Sequence, residues 1–144
     1  MITKREATKH NLRNLMDRLV ASLSTSGFIT HTLAQSPSED GSQWFGVSCL
    51  PDGVHRRLDL FFVPWEERGA ASIHFTGNDV FNRSLRLLAK KKNMRLNQRG
   101  LYEEVLRGPA GDKVTTGIHI AGQSERQIFE ILGVPWRIPE ERNC

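Results

Sequence analysis

Two strand-like segments joined by a tight turn occupy the middle of this 144-residue chain and leave few folds open to it. Residues 43–50 and 54–63 both contain β-branched and aromatic side chains, and Pro51-Asp52-Gly53 separates them. A turn this short joins antiparallel neighbours, because two parallel strands need a crossover of roughly a dozen residues or more. We therefore predict an antiparallel hairpin at the centre of the chain.

Helical patterns lie on both sides of this hairpin. Residues 8–26 carry apolar side chains at helical spacing, namely Leu12, Leu15, Met16, Leu19, Val20 and Leu23. Gly27 is placed to end this helix, and residues 28–33 follow as a strand. The later pattern predicts helices over 65–74 and 79–92, short strands over 94–96, 101–106 and 113–120, and a last helix after a capping box at Ser124 and Gln127. Because strands and helices do not alternate as in βαβ units, this order predicts an α+β fold with a boundary near residues 76–79.

Composition argues against several classes of protein. No run of about 18 apolar residues occurs, so neither a membrane-spanning helix nor a membrane partner is expected. The N-terminal residues lack the apolar stretch of a secretory signal. The two cysteines, Cys49 and Cys144, lie far apart, which argues against a disulfide framework and favours a reducing compartment.

Positive charge is concentrated in one segment. The chain carries a net charge of +4, yet residues 82–100 hold seven positive side chains and no negative one. The other residues carry 13 positive and 16 negative side chains, so the whole excess lies in this segment. A short charge run is usually a solvated helix face, although such faces tend to mix signs. A segment this one-sided favours a polyanionic partner, with nucleic acid as the first candidate.

Asp59 is the polar residue that most needs an explanation within the hairpin. In Arg56-Arg57-Leu58-Asp59, strand alternation places Arg57 and Asp59 on one face, so an ion pair on a wet sheet surface is the simplest interpretation. A metal-ligand role is the alternative, although one carboxylate does not make a divalent-ion site. The five histidines lack zinc-ligand spacing. Residues 76–79 offer backbone N–H groups to an anion, but Thr-Gly-Asn is also a common turn.

The order of several motifs resembles one protein family across essentially the whole chain. An Arg-Arg-x-Asp strand precedes His74-Phe75-Thr76-Gly77, Phe81-Asn82-Arg83-Ser84-x-Arg86, Ala89-Lys90 and Met94-x-Leu96-Asn97-x-x-Gly100-Leu101-Tyr102. The last motif is Ile128-Phe129-x-x-Leu132-Gly133-x-Pro135-Trp136-Arg137-x-Pro139-x-x-Arg142. This set resembles the C-terminal half of the palm plus the thumb of a family X DNA polymerase, in the branch of polymerase lambda and the lambda-like polymerase four.

The resemblance implies a fold, an activity and partners. It implies an antiparallel palm sheet with a packed helix over residues 1–76, then a small, mostly helical thumb with a short β-hairpin over 77–144. It implies template-dependent addition of dNTPs to a primer 3′-end during nuclear short-gap DNA repair, with two Mg²⁺ or Mn²⁺ ions in the complete enzyme. The implied partners are gapped primer-template DNA, a dNTP, an N-terminal polymerase half, and end-joining factors bound through other domains.

The resemblance also implies roles for particular residues. Asp59 matches a catalytic, metal-binding aspartate, and Arg57 resembles an arginine that gates it. The implied nucleotide-binding residues, which surround the incoming sugar and base, are His74, Phe75, Gly77, Asp79 and Asn82. The implied DNA-binding residues are Arg83, Arg86, Lys90, Lys91, Lys92, Arg95 and Arg99.

Three departures from the family pattern matter. His74 stands where the family has tyrosine, which bears on ribonucleotide rejection, and Gln98 stands where the family often has glutamate. The resemblance begins just after the family's Asp-x-Asp strand, so we expect this chain alone to retain no metal ion and to extend no primer. A non-catalytic DNA- or partner-binding module is the alternative. A template-independent transferase is disfavoured, because those relatives carry Gly-Trp-Thr-Gly at the sugar turn.

Overall fold

The computed structural model describes residues 9–35, 42–106, 108–109 and 114–143. The fold is α+β, as predicted, and it divides into two compact units, Met1–Trp65 and Glu66–Cys144. The boundary predicted near residues 76–79 follows the helix Arg68–Thr76. The division between the two units precedes that helix, because the helix packs against elements of the second unit. Within the described residues, no helix combines the length and apolar character needed to cross a bilayer.

The first unit packs one helix on a three-stranded antiparallel sheet. Helix α1 spans Lys9–Thr25, and the strands β1 (Ile29–Gln35), β2 (Gln43–Ser48) and β3 (Arg56–Phe61) lie in the order β1-β2-β3. The predicted stripe of α1 contributes to a buried core of Leu12, Met16, Ile29, Trp44 and Phe62. Burial alternates along β2, so one face of the sheet meets α1 and the opposite face carries Phe45 and its neighbours.

The predicted hairpin between β2 and β3 is confirmed. Asp52 takes a positive φ of 57° in the turn, and the N–H of Gly53 donates to the carbonyl of Leu50 at 2.9 Å. Strand β1 extends beyond the predicted end at residue 33, because Gln35 still pairs with Trp44. Gly46 is required on β2, since a Cβ there would overlap the indole ring of Trp44.

The second unit combines three helices with a second small sheet. A 3₁₀ turn (Trp65–Glu67) leads into α2 (Arg68–Thr76) and α3 (Asp79–Lys91). Strands β4 (Arg95–Asn97), β5 (Gly100–Glu103) and β6 (Ile118–Ala121) form an antiparallel sheet, and α4 (Glu125–Leu132) and a 3₁₀ turn (Pro139–Arg142) follow. Its buried core includes Ile73, Phe81, Leu85, Ala89, Leu96, Leu101, Ile128, Phe129 and Leu132.

The small sheet differs in detail from the sequence prediction. The Oδ1 atom of Asn97 accepts the N–H groups of Arg99 and Gly100 at 2.8 and 3.1 Å, which closes the turn between β4 and β5. The third predicted strand, over 113–120, is present as β6, which begins at Ile118 and pairs with β5. Residues 107 and 110–113, which include part of the predicted loop over 108–111, lie outside the described residues.

The end of α1 follows the prediction, whereas the start of α4 departs from it. Gly27, which was predicted to end α1, takes the left-handed conformation with a φ of 76°. Asn93 (φ 58°) and Gly133 (φ 69°) take the same conformation after α3 and α4. Ser124 is the N-cap of α4 but makes no capping hydrogen bond with its side chain, so the predicted capping box is wrong. The start of α4 is instead set by close backbone contact with α2, where a Cβ on Gly69 would lie 2.6 Å from the carbonyl carbon of Ser124.

Candidate functional site

Asp59 lies on the face of the first-unit sheet that is turned away from α1. Its Oδ1 atom accepts a hydrogen bond from Nε of Arg57 at 2.8 Å, and the two side chains are 35% and 67% exposed. The ion pair predicted from strand alternation is therefore confirmed. Ion pairs this exposed contribute little to folding stability, so the arrangement leaves Arg57 able to exchange partners.

Aromatic rings flank this ion pair. Phe45 is the partner of Asp59 on β2, and the guanidinium carbon of Arg57 lies 5.7 Å from the centre of its ring. Phe61 meets Phe45 edge to face, with ring centres 5.7 Å apart. Hydrogen bonding and charge attraction from Asp59 raise the pKa of Arg57. The ring of Phe45 therefore lies beside both charged groups on this face of the sheet.

The fit of this site to a divalent cation is partial. A carboxylate oxygen is a hard ligand of the kind that Mg²⁺ and Mn²⁺ prefer, and Asp59 supplies one once Arg57 moves away. In the part of the chain that the structure describes, no three His, Cys, Asp or Glu side chains are grouped so as to hold a metal ion. Asp59 therefore fits one ligand of such a site, and further ligands must complete it.

In the second unit, a tight turn connects α2 to α3. Gly77 ends α2 with a φ of 79°, and its N–H donates to the carbonyl of Ile73 at 3.3 Å. The Gly77–Asn78 peptide bond is cis. Asn78 caps α3, because its Oδ1 atom accepts the N–H of Phe81 at 2.9 Å. The N–H of Gly77, one of those suggested for an anion at residues 76–79, is therefore already bonded to Ile73 within the protein.

Two α3 side chains hold His74 at the end of α2. The Nδ2 atom of Asn82 donates to the carbonyl of His74 at 2.9 Å, and Nη2 of Arg86 lies 2.7 Å from Nδ1 of the imidazole. Burial, followed by the charge of Arg86, lowers the pKa of His74 below its usual 6.5. The Oδ1 atom of Asn82 is buried and has no hydrogen-bond partner among the described residues. The structure therefore brings together the predicted nucleotide residues His74 and Asn82 and the predicted DNA residue Arg86.

The other predicted nucleotide residues lie around the same turn. Phe75 is 43% exposed, and its ring contacts the imidazole of His74 edge to face at 4.9 Å between centres. Asp79 accepts a hydrogen bond from Nη2 of Arg83 at 2.9 Å, and both side chains are well exposed. Asp79 and Arg83, which were predicted to contact different parts of a DNA complex, are therefore paired with each other.

A cationic groove of about 370 Å³ lies between α3 and β4, lined by Arg83, Arg86, Leu87, Lys90, Met94, Arg95 and Leu96. Helical spacing places Arg83, Arg86 and Lys90 on one face of α3. Arg95 joins them from β4, with its guanidinium carbon 5.3 Å from the centre of the Tyr102 ring. Sequence reasoning missed the apolar side chains of the groove. The spacing of Leu87, four residues after Arg83 on a predicted helix, was a signal that the sequence offered.

The remaining predicted DNA-binding residues, Lys91, Lys92 and Arg99, do not line this groove. The ammonium group of Lys92 lies beside the end of α4, since a Cβ built on Gly133 would be 3.2 Å from its Nζ atom. A positive charge there is favourable for the dipole of α4. Lys90 and Lys92 are thus close in sequence but lie in different surroundings.

A buried arginine near the C-terminal end supports α3 and was also missed. The side chain of Arg142 is fully buried; its Nη2 and Nη1 atoms donate to the Glu125 carboxylate at 2.6 and 3.4 Å. Its Nε and Nη2 atoms donate to the carbonyl of Arg137 at 3.0 and 2.8 Å. Its guanidinium carbon lies 5.8 Å from the centre of the Phe81 ring, one residue before Asn82. The polar segment around Arg142 gives no sequence signal of this burial.

Comparison with protein families accounts for both units. The model of the DNA polymerase beta thumb matches residues 71–143, and the model of the DNA polymerase beta palm matches residues 1–65. The chain belongs to family X of the DNA polymerases. The resemblance drawn from motif order is confirmed, and Asp59 lies in the family X palm match, whereas the cationic groove lies in the thumb match.

Curated family X relatives match the chain over most of its length. DNA polymerase lambda of Rattus norvegicus is 39% identical over 147 residues, which cover 99% of this chain and 25% of that protein. DNA polymerase lambda of Arabidopsis thaliana is 32% identical over 152 residues, covering 99% and 28%. DNA polymerase IV of Saccharomyces cerevisiae is 35% identical over 101 residues, covering 70% and 15%. The chain thus spans about a quarter of the length of the two lambda relatives and less of the third.

Proposed function

We propose that this chain forms the palm and thumb portion of a template-dependent DNA polymerase that adds dNTPs to a primer 3′-end in short gaps. The observation that carries the proposal is the Asp59 carboxylate on the open face of the palm-matched sheet, in a chain that belongs to family X. The matching relatives are named DNA polymerases, which supports a nuclear role in DNA repair. Complete activity then depends on carboxylates beyond Asp59.

In the proposed reaction Asp59 acts directly and Arg57 controls its availability. With the Arg57 hydrogen bond in place, one oxygen of the carboxylate is engaged, which corresponds to a resting arrangement. When Arg57 swings away, both oxygens face the open side of the sheet and orient the primer 3′-hydroxyl. Two divalent ions, when bound, supply the electrostatic stabilisation of the attacking and leaving oxygens. A single carboxylate does not hold two such ions, so the proposal requires a partner segment with further acidic residues.

The turn between α2 and α3 is the proposed nucleotide-binding surface of the second unit. Exposed Phe75 and the glycine at position 77 present a flat, small surface on which a sugar can pack. Asn82 lies one helical turn after Asn78, the N-cap of α3, and its amide donates a hydrogen bond to the carbonyl of His74 at the end of α2. Asp79 is proposed to pack against the base, which requires release of its ion pair with Arg83.

The cationic groove is the proposed DNA-binding surface of the second unit. Arg83, Arg86, Lys90 and Arg95 bring four positive charges to one surface, and phosphate neutralisation by such charges gives sequence-independent, salt-sensitive binding. The apolar side chains Leu87, Met94 and Leu96 line the same groove and offer contact area for sugars or bases. We propose that the template strand lies along this surface.

Substitution of Lys90, with Lys92 as a matched control, tests whether the cationic groove binds DNA. Lys90→Gln is expected to reduce the slope of log K against log salt by about 0.9, the effect of one phosphate contact. Lys92→Gln is the control, because this side chain lies beside the end of α4 and not in the groove. Equal slopes for wild type and Lys90→Gln would show that the groove does not bind the DNA backbone.

Reconstitution with a segment that supplies the Asp-x-Asp motif tests the catalytic proposal. The mixture is expected to extend a gapped primer with Mg²⁺ and dNTPs, whereas this chain alone is not. Asp59→Ala is expected to abolish the extension, and Asp17→Ala is the control, because it changes an exposed aspartate of α1, which packs on the other face of the sheet. Robust extension by Asp59→Ala would refute the proposed role of this carboxylate.

A non-catalytic DNA-binding module is the second candidate, favoured by the ion pair that already engages Asp59. That function predicts groove-dependent DNA binding without any primer extension after reconstitution. The two candidates therefore differ in the extension assay and agree in the salt-dependence assay.

A further inference from the structure

The hydrogen bond between His74 and Arg86 has a direction that chemistry fixes. The two nitrogen atoms lie 2.7 Å apart, and a guanidinium group has five N–H donors, no acceptor and a permanent charge. Arg86 must therefore donate and Nδ1 of His74 must accept. An accepting Nδ1 carries no proton, so the imidazole is neutral and its proton sits on Nε2. His74 is thus held in one tautomer by its neighbour on α3.

A small recess lies beside this contact, which is itself reached by solvent. A recess of about 10 Å³, lined in part by His74, Asn82, Arg86 and Asn97, has room for at most about one water molecule. The backbone of His74 is fixed as well, because Asn82 donates to its carbonyl at 2.9 Å. The ring and the main chain of His74 are therefore both bonded to consecutive turns of α3.

Arg86 is the charged group that acts on His74. Burial and the charge of Arg86 both lower the pKa of His74. The β4 side of the recess is uncharged, being formed by Leu96 and Asn97. Several other charged groups on the packed elements have partners of their own: Arg95 lies over Tyr102, Asp79 pairs with Arg83, Glu125 pairs with Arg142 and Arg126 lies over Trp136. Lys90 and Lys91 on α3 and Glu130 on α4 are not among the groups that shift the pKa of His74. Glu103 on β5 is not among the groups that shift His74.

We propose that His74 is a positioning residue that holds Arg86 through Nδ1 and releases it when the imidazole takes up a proton. Arg86 lines both the recess beside His74 and the cationic groove, so it sits where the two meet. A proton from solvent on Nδ1 turns the acceptor into a donor that faces a cation, which breaks the hydrogen bond. The freed guanidinium then turns into the groove and binds a DNA phosphate. This inference rests on the proposed function, in which the groove binds DNA.

Nitrogen NMR of His74 in the full chain tests the hydrogen bond without DNA. The Nε2–H tautomer is expected at neutral pH, with a titration midpoint below 6.5. Arg86→Gln is expected to move that midpoint upward, because it removes the neighbouring charge and the strongest donor. An Nδ1–H tautomer, or an unchanged midpoint in Arg86→Gln, would overturn the proposal whatever the DNA experiments give.

The salt dependence of binding to a gapped DNA oligonucleotide tests whether protonated His74 releases Arg86. Between pH 8 and a pH below the midpoint found by NMR, the wild-type slope of log K against log salt is expected to steepen by about 0.9, the effect of the one phosphate contact made by Arg86. His74→Asn keeps an oxygen near the place of Nδ1 and does not titrate, so it is expected to lack this increment. His74→Gln has no acceptor at that place, so its slope at pH 8 is expected to be steeper already, by about 0.9.

The outcomes separate this inference from the proposed function. If His74→Asn and wild type show the same change of slope with pH, other groups cause the change and the positioning role is refuted. If wild type does not bind DNA at either pH, the proposed function and the release into the groove both fail. The NMR titration then still decides whether Arg86 controls the proton on His74.

Discussion

Arg142→Met is expected to destabilise the second unit strongly, because it removes a buried charge and leaves its partners in place. Arg142 is fully buried, and Glu125 is only 17% exposed. The variant loses hydrogen bonds to the Glu125 carboxylate at 2.6 and 3.4 Å and to the Arg137 carbonyl at 3.0 and 2.8 Å. Removing one partner of a buried ion pair typically costs about 3–5 kcal/mol. We expect a loss in this range at pH 7.

The pH dependence of this loss is a sharper test than its size. Burial raises the pKa of Glu125, but hydrogen bonds from Arg142, Ser72 and Trp136 together lower it below the usual 4.5. A lowered folded-state pKa gives stability that is present above pH 4.5 and is lost as the pH falls below it. Without Arg142, the pKa of Glu125 rises relative to wild type, so lowering the pH costs the variant less stability than it costs wild type. The difference in the free energy of unfolding between wild type and Arg142→Met is therefore expected to decrease as the pH falls from 7 to 3.5.

Urea unfolding at several pH values, with hydrogen exchange of the α4 and β5 amides, measures this effect in the second unit. Arg137→Met is the control, because it removes an exposed side chain of the same type and keeps the carbonyl that Arg142 uses. A loss of less than about 1 kcal/mol, the usual size for an exposed pair, would refute the reasoning. A loss that stays constant between pH 7 and pH 3.5 would show that the Glu125 charge is not its cause.

Three further predictions concern local features. Gly69→Ala is expected to lower the stability of the second unit by about 1–3 kcal/mol in thermal unfolding, because its Cβ would lie 2.6 Å from the Ser124 backbone; an unchanged midpoint would mean that α2 and α4 move apart freely. Asn78→Ala is expected to cost about 1 kcal/mol through loss of the Phe81 cap, whereas Asn78→Asp keeps an acceptor and most of the stability; equal losses would rule out the cap as the cause. Asp59→Asn is expected to leave the urea midpoint almost unchanged, since its ion pair with Arg57 is exposed, and a large shift would assign Asp59 a structural role.

The sequence predicted a helix or strand well where the residues that determine it lie within one segment of the chain. The stripe from Leu12 to Leu23 predicted α1, and the short turn at Asp52 predicted the β2-β3 hairpin. Strand alternation also predicted the Arg57–Asp59 pair, because neighbours on one face of one strand need no tertiary contact to meet. The weaker predictions were those that depend on packing. The capping box at Ser124 failed because α2 contacts the start of α4 through backbone atoms.

The candidate site shows the same division. The charge run over residues 82–100 located the basic surface, but the sequence treated its seven cations as equivalent. The structure places Arg83, Arg86 and Lys90 in the groove and Lys92 beside the end of α4. Motif order assigned His74 to the nucleotide, whereas the folded chain also bonds its ring to Arg86. Two residues twelve positions apart meet only because the folded chain brings the C-terminal end of α2 within reach of Asn82 and Arg86 on α3.

By itself, the sequence determined the α+β class, the membership of family X and the segment that carries the positive charge, because these depend on residue types and their spacing along the chain. Only the tertiary structure decided which cations share a groove, that Arg142 is buried against Glu125, and that His74 accepts a hydrogen bond from Arg86. The physical reason is that burial and hydrogen-bond partners are set by elements distant in sequence. The residue type of a charged side chain does not determine whether it will contact water, a carboxylate or an aromatic ring.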